Sequence, residues 1–235
     1  MLKVHRCLFS LRSLQQFVRC ESTNAYSDKW VSPALQEDIA KFASTYPQSV
    51  PICLIGDSHL RRSNEPVLNL DDNFVRAAKY RLHLALAEFR RKNGFGRGIS
   101  ACQIGTNLRL IALNLGYGPL TLFNPKITWS SADKITMWDD CMSIPGILVK
   151  KQRAKSISLT YTDDHGNEQN WNELHVSVSE LLQHEMDHLD GILNIDQPFV
   201  DDHTKGRESI ISMDEYKRRK NYFNEQVDYV IVPTV

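Results

Sequence analysis

No stretch of this 235-residue chain approaches the roughly 20 consecutive apolar residues needed to span a bilayer, so nothing in it reads as a transmembrane segment. The chain also lacks a surplus of either charge, since 28 Lys and Arg balance 28 Asp and Glu. That balance hides an uneven distribution. Lys3, Arg6, Arg12 and Arg19 fall in the first 20 positions, where there is no acid; 28 less these 4 leaves 24 basic residues against 28 acidic ones. A mildly acidic body has no electrostatic footprint for nucleic acid. Cysteine is scarce: Cys7, Cys20, Cys53, Cys102 and Cys141. Two lie in the basic N-terminal stretch. The other three are odd in number and widely spaced, which argues against a disulfide framework and fits a reducing compartment. A thiolate is therefore left free to bind metal. There is no internal repeat. Gly94, Gly96 and Gly98 do not make G-x-G-x-x-G and lead into a strand-like run, which excludes a phosphate-cradling loop.

What is present divides into four parts. Residues 1–20 read as a transit peptide: basic, acid-free, with Leu8, Phe9, Leu11, Leu14, Phe17 and Val18 set among polar residues and without the unbroken apolar core of a secretory signal. Residues 21–50 form an N-terminal extension, 51–200 the main domain and 201–235 a charged C-terminal helical extension. Ser32-Pro33 looks like an N-cap followed by proline at N1, opening a helix to about Thr45. A second helix is expected over about Asp72–Lys92, where Phe74, Val75, Ala78, Leu82, Ala85, Leu86 and Phe89 recur at helical spacing. Strand-like runs follow at Leu108–Leu113, Leu120–Phe123, Ile135–Trp138, Ile147–Val149, Ser156–Tyr161 and Glu168–Leu174, separated by turn residues. A third helix begins near Val176, and a last one spans about Met213–Val227. This order implies an α+β fold of mostly antiparallel sheets around a central helix, with helical extensions at both ends; the residues of that helix make it the metal-binding one.

The central helix carries Gln183-His184-Glu185-Met186-Asp187-His188-Leu189-Asp190-Gly191. Residues four apart lie one turn apart on one helix face, so His184 and His188 can offer two imidazoles to one ion, and Glu185 sits beside them to handle a water proton. Val178, Leu181 and Leu182 would pack the helix into a core, and Gly191 falls where a helix C′ residue belongs. A catalytic metal site commonly has a third protein ligand and an open position. Cys141, within Asp139-Asp140-Cys141-Met142-Ser143, is the candidate: a thiolate with two imidazoles makes a tetrahedral set with one corner left for water. In Gly96-Arg97-Gly98-Ile99-Ser100-Ala101-Cys102-Gln103, small residues let a backbone approach a ligand, and Gln103 can donate a side-chain N–H to an oxyanion.

Together these three stretches resemble the peptide deformylases. The pattern of that family runs G-x-G-[LI]-[AS]-A-x-Q, then E-G-C-L-S, then Q-H-E-x-D-H-L-x-G; this chain supplies GRGISACQ, DDCMS and QHEMDHLDG in the same order. The resemblance covers about Pro51 to Phe199 and identifies the main domain as a deformylase-like catalytic domain. It implies that Cys141, His184 and His188 bind one divalent ion, Fe2+ first and Zn2+ second. It implies Glu185 as the base that takes a proton from the attacking water and returns it to the departing amine. The Met142 amide and the Gln103 side chain would stabilise the oxyanion, one such donor being worth roughly 3–4 kcal/mol. The substrate would be an N-formylmethionyl nascent polypeptide, met near the organelle ribosome in the mitochondrial matrix, with formate released. Gly96, Gly98, Ile99, Asp140 and Leu181 would contact the substrate, Ile99 and Leu181 as walls of an apolar methionine pocket.

The chain also departs from the pattern. Asp139 keeps the usual charge on a shorter arm, whereas Asp140 replaces glycine and adds a side chain and a charge beside the metal, with a different φ as one consequence. Glu180 is an acid where the family tends to have a basic or apolar residue. These departures motivate an alternative, a catalytically impaired deformylase-like protein that keeps the metal site as a binding module. A zincin-type protease would use His184, Glu185 and His188 but has no need of Cys141 or Gln103.

Overall fold

A computed structural model describes residues 32–201 and 208–232. The expected transit segment and the first part of the N-terminal extension lie outside the described residues. Helix α1, Pro33–Thr45, begins as its sequence implies, with Ser32 Oγ accepting from Leu35 N at 3.3 Å. Helix α2, Asn73–Asn93, is capped by Asp72, whose Oδ1 accepts from Phe74 N at 2.8 Å and Val75 N at 3.3 Å; Gly94 stops it with φ 77°. Its buried stripe of Val75, Ala78, Leu82, Ala85 and Leu86 packs on Ile99, Leu110, Ala112 and Phe123. Phe74 is not part of that stripe, being 61% exposed.

The strands are β1 (Gly98–Ser100), β2 (Leu110–Asn114), β3 (Pro119–Ser130), β4 (Lys134–Cys141), β5 (Ile144–Ala154), β6 (Ile157–Thr162), β7 (Glu168–Trp171) and β8 (Ile210–Ser212). They form one sheet in the order β1-β2-β3-β6-β7 and another in the order β4-β5-β8. Among the described residues, every pairing of these strands is antiparallel, as the hairpin-like spacing implied. Helix α3, Val176–Leu189, packs against β1 of the first sheet and β5 of the second. That central position brings the two sheets' chemistry together.

Helix α3 ends in a Schellman motif. Gly191 N donates to His188 O at 3.1 Å and Ile192 N to Asp187 O at 2.9 Å, with Gly191 at φ 75°. Only glycine adopts this conformation cheaply, and a Cβ here would stand 2.8 Å from the Arg61 carbonyl oxygen. Glycine thus ends the helix immediately after the two histidines.

The C-terminal region differs from the single helix expected. It contains β8, which pairs with β5, then α4 (Met213–Arg218) and α5 (Lys220–Asn224). The helix is interrupted at Arg219, whose backbone leaves helical geometry and whose guanidinium lies 4.0 Å from the Tyr222 ring centre. The segment is anchored: Phe223 is buried against Trp138 with ring centres 5.3 Å apart, and Trp138 Nε1 donates to Phe223 O at 2.8 Å. Asp228 Oδ2 then accepts from both the backbone and the hydroxyl of Thr136, at 3.0 and 2.8 Å. Among the described residues, no helix is long and apolar enough to cross a membrane.

Candidate metal centre

Two elements, α3 and β4, bring three candidate ligands together at the middle of the fold. Helical spacing puts His184 and His188 on one face of α3, with ring centres 4.9 Å apart. Strand β4 ends at Cys141, where its register with β5 breaks: Asp140 faces Leu148, but Cys141 faces Ile144. The loop this creates turns the thiol toward α3. The ligand atoms of Cys141, His184 and His188 all lie within 4.8 Å of one another, and Cys141 Sγ is 3.2 Å from His188 Nε2. All three residues are buried. One sulfur and two ring nitrogens in a small buried cluster are the donor set of a four-coordinate divalent ion with one position to spare.

The surroundings fit that role. His184 Nδ1 donates to Asp139 Oδ2 at 2.9 Å, and Arg153 Nη2 donates to the same oxygen at 3.1 Å. This carboxylate–imidazole bond fixes the ring and leaves Nε2 for the ion. Burial alone would raise the Asp139 carboxyl, but the His184 ring and the Arg153 guanidinium outweigh it and hold the group well below the usual range. Burial works against a charged His184 as well, yet Asp139 beside it pushes this imidazole well above its ordinary value. Burial, with His184 nearby, drives His188 well below its ordinary value. Arg153 also bonds Asp187 Oδ2 at 2.8 Å, so one buried guanidinium ties β5 to both motifs.

Glu185 is 3% exposed, and burial raises its carboxyl. Its Oε2 accepts from Ser100 Oγ at 2.6 Å. Gly98, one of the expected substrate contacts, also makes room for this carboxylate: a Cβ there would lie 3.0 Å from both Glu185 Oε1 and Leu113 Cδ2. Gln103 follows β1 on a 3-10 turn, Ala101–Ile104. Its Oε1 accepts from Ser100 N at 2.9 Å, so its Nε2 must face the site, where it donates to Ser143 Oγ at 3.1 Å and lies 3.9 Å from Cys141 Sγ.

A cavity of about 80 Å3 opens beside the cluster. Gly96, Gly98, Asp140, Leu181 and Met142 line it, as do Gln103 and Glu185. Ile99 does not. It is fully buried and packs with the α2 stripe, because successive residues of a strand face opposite sides: Gly98 and Ser100 turn to the site, so Ile99 turns away. The wall is also less apolar than expected, since Arg97 and Glu180 contribute to it. Asp140 occupies the glycine position without strain. It sits in β4 opposite Leu148 and is not among the described residues with positive φ. Burial, then Asp139, raises its carboxyl.

Ser100, Arg97 and Ile231 join the site without being singled out by the sequence pattern. Ser100 and Arg97 sit within the glycine-rich motif, but their partners are 85 and 83 positions away. Ile231, another part of the cavity wall, comes from the C-terminal tail. A second cluster, Cys53, Asp57 and His59, also brings ligand atoms within 4.8 Å, but it is only half-buried, and Asp57 Oδ1 already bonds both the His59 ring and its backbone N. Burial, with Asp57 adding to it, pushes the Cys53 thiol up to about 11.

Comparison with known proteins gives a consistent result. The family model described as Polypeptide deformylase matches residues 49–205. A peptide deformylase from Synechocystis sp. is 31% identical over 150 residues, covering 61% of this chain and 75% of that protein. Peptide deformylase 2 from Nostoc sp. is 33% identical over 161 residues, covering 64% and 87% respectively. Among solved structures, the peptide deformylase from Thermotoga maritima superposes with a TM-score of 0.58 at 29% identity, covering 65% of this chain and 99% of that one.

Proposed function

The chain belongs to the polypeptide deformylase family, and we propose that it removes the N-formyl group from the N-terminal methionine of newly made proteins in the mitochondrial matrix, releasing formate. The observation that carries this reading is the convergence of Cys141, His184 and His188 within 4.8 Å beside the buried Glu185 carboxylate. The three ligands would hold one divalent ion, Fe2+ in this reading with Zn2+ as the substitute. When bound, the ion supplies a Lewis acid for the formyl oxygen and acidifies water.

The chain's own residues do the rest. Burial makes Glu185 a stronger base than an exposed carboxylate, and Ser100 holds its Oε2, leaving Oε1 to take the proton of the attacking water. The same carboxyl then delivers that proton to the amine nitrogen as the C–N bond breaks. Gln103 Nε2, aimed by the Ser100 backbone, and the Met142 amide donate to the oxygen that gains charge. Asp139 keeps His184 in one orientation. The organelle assignment rests on the acid-free basic stretch of residues 1–20, and it puts the protein where nascent chains leave the organelle ribosome.

The test is formate release from formyl-Met-Ala-Ser by protein loaded anaerobically with Fe2+ or Co2+. Turnover that needs the metal is expected; no release with either ion overturns the proposal. One observation favours a second reading, a metal-keeping binding module: Asp140 lines the cavity where the family pattern has glycine. An inert wild type revived by Asp140→Gly would establish that reading, and an active wild type would exclude it.

A further inference from the structure

One wall of the cavity carries an ion pair that deformylation does not use. Arg97 donates through Nη2 to Glu180 Oε1 at 2.5 Å and through Nη1 to the Ser177 carbonyl at 2.6 Å. The two side chains are 10% and 2% exposed, and both residues line the cavity beside His184 and Glu185. Burial pushes the Glu180 carboxyl up to about 7, against the pull of Arg97. Burying two charges costs desolvation, and well-packed apolar residues of the same volume serve stability as well or better. An apolar pocket would therefore gain nothing from this pair. A guanidinium has five N–H donors; two are engaged by Glu180 and Ser177, which leaves donors for whatever enters the cavity.

We propose that Arg97 and Glu180 are specificity-determining residues: they read the first side chain of the formylated substrate by hydrogen bonding, and favour one with an acceptor near its end over an all-carbon chain of the same length. The inference rests on the deformylase reading of this site. Methionine sulfur is a weak acceptor and its sulfoxide a strong one, whereas norleucine has none. The expected order is therefore methionine sulfoxide above methionine above norleucine.

The test compares kcat/KM for formate release from three formyl tripeptides, X-Ala-Ser, with X as methionine sulfoxide, methionine or norleucine. Hydrogen bonds to charged groups predict a preference of about tenfold or more for the sulfoxide over norleucine. In the R97L/E180L double variant that ratio should fall to about one or below. A wild-type ratio near one, or a ratio unchanged in the variant, overturns the proposal. Should the double variant fail to fold, the wild-type ratio alone decides. Calorimetry of the same tripeptides without the formyl group, on metal-loaded wild-type protein, separates the two levels. A protein that releases no formate yet binds the sulfoxide tripeptide about tenfold more tightly than the norleucine one keeps this inference and loses the catalytic reading. Equal binding sinks the inference whether or not formate appears.

Discussion

Replacing Asp139 by asparagine should loosen the metal without touching a ligand. The carboxylate is 4% exposed and accepts from two buried groups, His184 Nδ1 at 2.9 Å and Arg153 Nη2 at 3.1 Å. Asparagine keeps the volume and one acceptor but removes the charge. The imidazole loses the partner that fixes its orientation and raises its basicity, a change that typically costs 10–100-fold in metal affinity, or about 1.4–2.8 kcal/mol. Arg153 meanwhile keeps only Asp187, whose side chain is 32% exposed. Breaking a buried pair costs about 3–5 kcal/mol when the remaining charge is left bare; the surviving partner puts the loss for the metal-free protein near the lower end. Competition against a chelating dye reads the affinity, and urea unfolding of the metal-free protein reads the stability. D139E, which restores the charge on a longer arm, should recover most of both. Wild-type affinity within about twofold in D139N would refute the idea that this bond tunes the site.

Other perturbations follow from the same geometry. Gly98→Ala places a methyl 3.0 Å from Glu185 Oε1, so kcat for formate release should drop about tenfold or more while metal content stays at the wild-type level. Unchanged kcat would show that the carboxylate has room to spare. Gly191→Ala meets both a φ of 75° and a carbonyl oxygen at 2.8 Å, and should destabilise the protein by more than about 1 kcal/mol in urea unfolding; a neutral result would contradict the Schellman assignment. His83 is buried against Thr121 Oγ1 at 2.9 Å, and burial lowers its pKa to about 3. Its folded value lies below the unfolded one, so the unfolded chain binds the extra proton. Stability from this residue is complete above about pH 6.5 and is lost as pH falls toward 3. Between pH 8 and 5 the metal-free wild type should lose about 2 kcal/mol more than H83Q, and parallel curves would remove the effect.

The parts of this fold that were legible in the sequence depend on local geometry. The Ser32 cap, the Gly191 stop and the four-residue spacing of His184 and His188 are written in consecutive residues, and each has its expected geometry. Cys141 became legible only through its place among three ordered motifs, because nothing local aims a strand-end thiol at a helix 43 positions away. Ser100 and Arg97 depend on β1 running beside α3, a tertiary relation without a sequence period. Ile99 lies between two residues that face the site, but β1 is only three residues long, too short for its alternation to show in the sequence. The interruption at Arg219 was invisible because the charged run around it has ordinary helix propensity. Glu180 stands out in the sequence as an unusual acid, but its partner Arg97 lies 83 positions away, so the charged wall of the cavity is a tertiary feature.

The central claim is that one ion is gripped by one thiolate and two imidazoles. Titration of the metal-free chain with Co2+ under anaerobic conditions tests it most directly, because a thiolate ligand gives cobalt a sulfur charge-transfer absorption band. The band should saturate at one ion per chain in the wild type and vanish in Cys141→Ala while remaining in Cys53→Ala. A band that survives in Cys141→Ala, or that never forms in the wild type, would contradict the account.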